Sequence, residues 1–286
     1  MQLSSRHLTS ASGYFSRLVM GQWKENKIED VGADAKAYCY VVTAEDWDQK
    51  ALLALMQIIH ARTTTLPTTV TLEMLAKICV LADYYQCTET VEFFVKMWAQ
   101  SLEEPLPSQF ERDVFLRLVV CCVDGDADVF NRMTKLIIHE CEEPFESFSL
   151  PIPHKVIAGI NKKREDLIFS LLTGLQDLAD EFYDERSNAC SFECKAINLG
   201  TLLKAQKKLG ILDCRPQPPF EGWSASTLVQ AMRGIQVPFP NESRPTRYFC
   251  NNAYQSQRFI KAEFAPVCSI SQRIRQIIDK HGCTAI

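Results

Sequence analysis

Apolar positions along the first 140 residues recur mostly at the three-to-four spacing of a helix with one buried face. Residues 4–20 place Leu8, Ala11, Phe15, Leu18 and Val19 on one side of a helix interrupted near Gly13. A polar run to Asp34 reads as a connection. The short aromatic and β-branched stretch Ala37 to Val42 then reads as a strand. Thr43 to Asp46 resembles a helix start, with Leu52, Leu55, Met56 and Ile59 as the apolar stripe behind it. Thr71 is positioned to cap the next helix, with Leu72, Leu75, Ala76 and Cys79 inward. A third helix is predicted from about Thr88 to Leu102 through Val91, Phe94, Val95 and Trp98. Three such stripes need one another as cover, which predicts a compact helical cluster.

Pro105 and Pro107 close that cluster. Ser108 and Glu111 have the spacing of a capping box for a helix carrying Val114, Phe115, Leu118 and Val119, and residues 127–141 read as its partner across Asp124-Gly125-Asp126. Pro144 to Pro153 holds three prolines and marks a boundary within the chain. Beyond it, helical spacing returns from Leu167 to Phe182, from Ile197 to Leu209, over 224–234 and from Ser269 to about Lys280, with no repeat of fixed period.

Composition narrows the class. The chain has 286 residues, 47% hydrophobic and 23% charged, which describes a packed globular body and not a disordered one. With 31 Lys+Arg against 35 Asp+Glu, the net charge of −4 offers no general attraction to a polyanion. Lys162-Lys163-Arg164 and Lys204, Lys207 and Lys208 are short groups without interleaved aromatics and read as solvated helix faces. No stretch has 18 uninterrupted apolar residues and the first residues lack a secretory apolar run, which predicts neither membrane insertion nor secretion. Of the 12 cysteines in the chain, Cys39, Cys79, Cys87, Cys121, Cys122 and Cys141 fall mostly inside apolar runs, as reduced thiols do in a cytoplasmic or nuclear protein.

Candidate chemistry is sparse. Cys190 and Cys194 with Cys214, Cys250, Cys268, His281 and Cys283 are the residues that a zinc site would draw on, but the usual CxxC pairing is missing and the spacings are irregular, so no metal is assigned. His139 and Cys141 can be drawn as a nucleophile and base, though no orienting group or oxyanion donor is marked. Acidic pairs at Glu142-Glu143 and from Asp177 to Glu185 read as solvated faces. The 11 glycines are scattered, with no phosphate-binding loop and no implied cofactor. Aromatic residues are the remaining resource: Trp23, Tyr84, Tyr85, Trp98 and Trp223 are candidates for anchors at a binding surface. Tyr84 and Tyr85 are adjacent, so a helix cannot bury both equally.

The segment Ser4 to Phe15 resembles the "S-x-H-L-x-x-x-S-x-x-F" helix of BTB/POZ domains. Lys36 to Val42 is similar to a strand of that family, Leu52 to His60 to its small helix, and Leu72 to Cys87 to its "L-x-x-L-x-x-L-A-D-K-Y" helix as found in filamentous fungal members. Cys190 to Cys194 with Leu199-Gly200 resembles the helical tail of the same proteins. The resemblance implies an α+β, predominantly helical fold: residues 1–104 as a BTB/POZ-like cluster with a small sheet lacking the opening strands, and residues 105–286 as a mainly helical extension.

Members of that family dimerise or recruit partners, including cullin-type ubiquitin-ligase scaffolds. The expected function is therefore a non-enzymatic interaction or scaffold protein, with a ligase substrate adaptor and a cysteine-dependent enzyme as alternatives. The expected partner is a protein, either a second copy or a cullin, and not a membrane or nucleic acid. The residues expected to carry the contact are Tyr84, Tyr85, Leu52 and Met56.

Overall fold

The computed structural model describes residues 2–20, 28–30, 38–40, 42–184, 192–236 and 270–283. The described chain is helical. Eleven helices run in order: α1 (Ser5–Ala11), α2 (Gly13–Met20), α3 (Gln49–Ile59), α4 (Leu72–Tyr84), α5 (Thr88–Gln100), α6 (Arg112–Asp124), α7 (Ala127–Glu140), α8 (His154–Tyr183), α9 (Phe192–Lys208), α10 (Ala225–Arg233) and α11 (Ile270–Lys280). Extended pairing among the described residues is confined to β1 (Ile28–Asp30) and β2 (Tyr38–Tyr40), an antiparallel ladder with Glu29 opposite Cys39.

That finding corrects two expectations. A BTB/POZ domain is organised on a β-sheet core, and two strands of three residues make no core. The fold class is α-helical, not α+β, and the BTB/POZ resemblance falls with it. The segments that carried the likeness, Leu52 to His60 and Leu72 to Cys87, supply α3 and α4. Their apolar spacing is what any helix with one buried face requires, so it never specified a sheet.

The chain divides into two compact units, Met1–Leu136 with Glu146–Ile157, and Ile137–Phe145 with Ala158–Ile286. In the first, α3, α4, α5 and α6 pack on one another around Leu55, Leu75, Ile78, Val95, Trp98 and Leu118. Local signals set the helix ends. Asp48 accepts from the Lys50 and Ala51 amides at the start of α3, and Thr71 accepts from the Met74 amide at the start of α4. The predicted capping box at Ser108 does not form: Glu111 itself stands at the cap position of α6, without a side-chain cap bond. Gly125 ends that helix with φ 74°, where its missing Cβ avoids a steric cost, and its amide donates to Cys121 O at 3.1 Å. Trp98 is fully buried and its indole N–H donates to Pro67 O at 3.0 Å, which satisfies the one polar atom that the ring carries inside.

In the second unit, Ile168, Leu171, Leu175 and Leu178 of α8 meet Leu202 of α9, Leu228 and Met232 of α10, and Ile274 and Ile278 of α11. A buried cation joins the loops. Arg164, 1% exposed, donates through Nε to Cys141 O at 2.8 Å, through Nη1 to Pro219 O at 2.7 Å, and through Nη2 to the carbonyls of Glu142, Phe220 and Trp223 at 2.6, 2.8 and 2.8 Å. The basic run 162–164 is thus solvated only at Lys162 and Lys163. Among the described residues no helix is long and apolar enough to cross a membrane.

Candidate functional site

A surface of the first unit rich in aromatic contacts is built at the junction of α1 and α2. Ser12 interrupts the two helices with extended backbone and is buried. Its hydroxyl donates to Tyr85 O at 2.5 Å and accepts from the Phe15 amide at 3.1 Å. This bond ties the helix junction to the turn that ends α4. The Gly13 amide also donates to Gln86 O at 3.4 Å, and Arg17 donates to Gln86 Oε1 at 2.6 Å. A Cβ on Gly13 would lie 3.0 Å from that Oε1, the flexible end of the Gln86 side chain, which would have to give by a few tenths of an ångström.

The anchored turn sorts two adjacent tyrosines. Tyr85 is 3% exposed and stacks on Phe15 with centroids 5.0 Å apart and planes 12° from parallel. Burial pushes its phenol up to about 12, reinforced by Tyr84 and Tyr14, against a hydrogen bond from Trp47. Tyr84 is 49% exposed. It stands on Trp47, Tyr85 and Tyr14, with centroids at 5.0, 5.0 and 5.6 Å. Edge-to-face contacts of this kind add about 0.5–1.5 kcal/mol each beyond area burial, so the ring is held in place before anything binds it.

Of the four residues expected from the sequence, Tyr84 alone is strongly exposed. Tyr85 and Met56 belong to the core, and Leu52 is half-buried on α3. Met56 and Leu52 lie one turn apart on the same side of α3, and Met56 is the more buried of the two. Tyr14 and Trp47 were missed. The available signal for Trp47 was its place immediately before the helix-capping Asp48, where an apolar residue commonly fastens the entry of the chain.

Aspartate 48 closes the edge of this surface. Its second oxygen takes the Lys77 ammonium at 3.0 Å, and Lys77 also reaches Glu73 at 3.2 Å. The Ala51 amide and then Lys77 hold the Asp48 carboxyl below its ordinary range, and Lys77 and then Arg112 do the same for Glu73.

The chemistry drawn from cysteine and histidine looks different in three dimensions. Burial pushes the Cys87 and Cys121 thiols up to about 12 and raises Cys79 further, which opposes thiolate formation. Cys141 is likewise raised by burial, and its Sγ donates to Glu143 O at 3.0 Å. His139 is buried near the end of α7. Among the described residues no three His, Cys, Asp or Glu side chains converge as metal ligands. Cys190, Cys250, Cys268 and Trp23 lie outside the described residues.

The second unit has an open cleft along α8 and α11, lined by Phe169, Asp177, Glu181, Arg273, Lys280 and His281. Arg273 is paired with Glu181, and burial followed by the nearby Lys280 charge lowers the His281 imidazole pKa. The cleft therefore presents both signs of charge on an open surface.

Comparison with protein-family models, curated proteins and solved structures found no match.

Proposed function

We propose that this chain is a protein-interaction module, working by binding and not by catalysis, with a contact face centred on Tyr84. The observation that carries this reading is the exposed Tyr84 ring held against Trp47 and Tyr14 by a turn that Ser12 pins in place. An aromatic residue fixed in this way offers a large contact area and loses little rotamer freedom on docking, which is the usual composition of an interface hot spot. The buried, alkaline-shifted thiols support binding over cysteine chemistry. The adaptor reading that involved a cullin rested on the BTB/POZ fold and is not carried forward.

The test compares the intact chain with Tyr84→Ala and with Phe192→Ala, a control at an exposed residue of the second unit, after circular dichroism confirms that all three are folded. Proteins cross-linked in native extract by the intact chain and by Phe192→Ala, but lost with Tyr84→Ala, support the reading. Equal recovery by all three removes Tyr84 as the contact.

A further inference from the structure

Helix α9 of the second unit distributes its side chains unlike a helix that meets only water on its outer side. Its inward side buries Leu202 together with two amides, Asn198 and Gln206, which are 4% and 3% exposed. Asn198 donates to Cys194 O at 3.0 Å and Gln206 to Leu175 O at 3.4 Å. The outward side instead carries Phe192, Ile197 and Leu203, which are 74%, 47% and 37% exposed, with Ala196 exposed between them. A helix that turns amides inward and leaves three large apolar side chains on its outer face is not patterned for solvent there.

Gly200 lies in the middle of that outer face. A Cβ built on it would meet nothing within 4 Å, so no close contact with the rest of the chain calls for glycine at a position where alanine is the better helix former. The absent side chain leaves the backbone of α9 open to the approach of a second helix.

Charge on the same face says which helix that is. Successive residues turn by about 100° around the axis, so Glu193 and Lys204 project within about 20° of each other and stand about three turns apart. Both are exposed, and neither forms an ion pair with a described residue. Lys207, one turn beyond Gly200 and Leu203, reaches only Asp213 at 3.2 Å, and that pair lies in solvent. The face is therefore negative at its first end and positive at its second, with the apolar residues spread between. Such a surface is complementary to itself turned end for end.

We infer that α9 is the contact between two copies of this chain, packed antiparallel about a two-fold axis near Gly200. Glu193 of one copy then stands beside Lys204 and Lys207 of the other, and Phe192 and Ile197 of one copy cover Leu203 of the other. A parallel arrangement would set glutamate against glutamate and lysine against lysine, which repels. One helix face is smaller than the ~800 Å² per partner of a standard stable interface, so the dimer is a weak one that forms and separates with concentration. The seam uses residues of the second unit alone, does not depend on the reading given for Tyr84, and Phe192→Ala leaves Tyr84 and its neighbours untouched.

The test is sedimentation of the full chain from about 1 μM to about 500 μM at low salt. A monomer–dimer equilibrium is expected, weakened by added salt and weakened about tenfold or more in Phe192→Ala. Glu193→Lys is expected to weaken it as well, since lysines then face lysines. The triple variant Glu193→Lys, Lys204→Glu, Lys207→Glu is expected to recover it, because the pairs re-form with their signs exchanged. These exposed charge variants decide the matter if Phe192→Ala fails to fold. Monomers at every concentration, a dimer indifferent to Phe192→Ala or to Glu193→Lys, or a loss in Glu193→Lys that the triple variant does not recover would each overturn the proposal. A chain that stays monomeric and is cross-linked to a different protein through this face, with the product lost in Phe192→Ala, would assign the face to that protein and also overturn it.

Discussion

A Cβ placed on Gly174 of α8 would lie 2.7 Å from Cγ2 of Ile277 on α11, closer than real carbon contacts allow. The branched side chain of Ile277 occupies the space that glycine leaves, and this lets the two helices approach. Since Cγ2 sits directly on the stiff β-carbon, it cannot swing away cheaply. Gly174→Ala is therefore expected to destabilise the second unit by about 1–3 kcal/mol, despite the better helix propensity of alanine. The double variant Gly174→Ala, Ile277→Ala is expected to cost less than the sum of the two singles. Urea denaturation of all four proteins checks this, and simple additivity would show that the contact does not limit the packing.

Arg164 has a different energetic signature. Its guanidinium satisfies five carbonyl oxygens in two separate stretches of chain, 141–142 and 219–223, so removing it leaves those acceptors buried without donors. Arg164→Met is expected to cost roughly 3–5 kcal/mol or to abolish folding of the second unit. Arg164→Lys should fall between the two, because an ammonium has three donors and no planar fork. The midpoint of urea denaturation, or soluble yield where none is measurable, provides the comparison. A near-neutral Arg164→Met would show that solvent replaces the clasp.

The Asp48–Lys77–Glu73 network predicts a pH dependence with a definite sign. Both carboxyl groups are lowered in the folded chain, so their contribution is complete above the ordinary carboxylate range and is lost as pH falls through the lowered values. Lys77 is raised, first by Asp48 and then by Glu73, so its contribution is complete below its ordinary value of 10.5 and is lost as pH rises through the raised one. These groups lie on the surface, and the effect is correspondingly small and screened by salt. Asp48→Asn should flatten the fall in stability between about pH 5 and about pH 2, measured by urea titration at low ionic strength. An unchanged acid slope would show that other carboxylates set it.

Thiol reactivity should follow exposure. Cys214 is exposed, whereas Cys79, Cys87 and Cys121 are buried and raised by desolvation. Iodoacetamide at about pH 8 is expected to label Cys214 well before those three in the native chain, and to label all four at similar rates in urea. Peptide mass spectrometry over a time course reads the order. Early labelling of Cys87 or Cys121 in the native chain would mean that the first unit opens readily.

Helices were the legible part of this sequence, because a buried stripe leaves a periodic trace. Thr71 announced α4, and the apolar spacing from Val91 to Trp98 announced α5. Residues whose role depends on distant backbone left no such trace. Arg164 sits in a basic run that looks solvated, and only the return of Cys141, Pro219 and Trp223 to its side makes it a buried node. The BTB/POZ resemblance failed for a related reason: all but one of the segments that carried it are helical, their apolar spacing does not require a sheet, and the one strand segment, Lys36 to Val42, yields only the short β2 of a two-stranded pair. Of the proposed contact face, the adjacency of Tyr84 and Tyr85 showed that the two are not buried equally, but the choice was made by Ser12, 73 residues distant in sequence from the carbonyl it holds.

The clasp around Arg164 also gives the two units different vulnerabilities. Every acceptor it uses is a peptide oxygen, which neither gains a proton in mild acid nor attracts a counterion as a carboxylate does. A change from neutral to acidic buffer therefore removes nothing from that joint, while it dismantles the carboxylate and ammonium lattice around Lys77. The second unit is fastened by a device that ignores the composition of its solvent, and the first wears a fastening that reports on it.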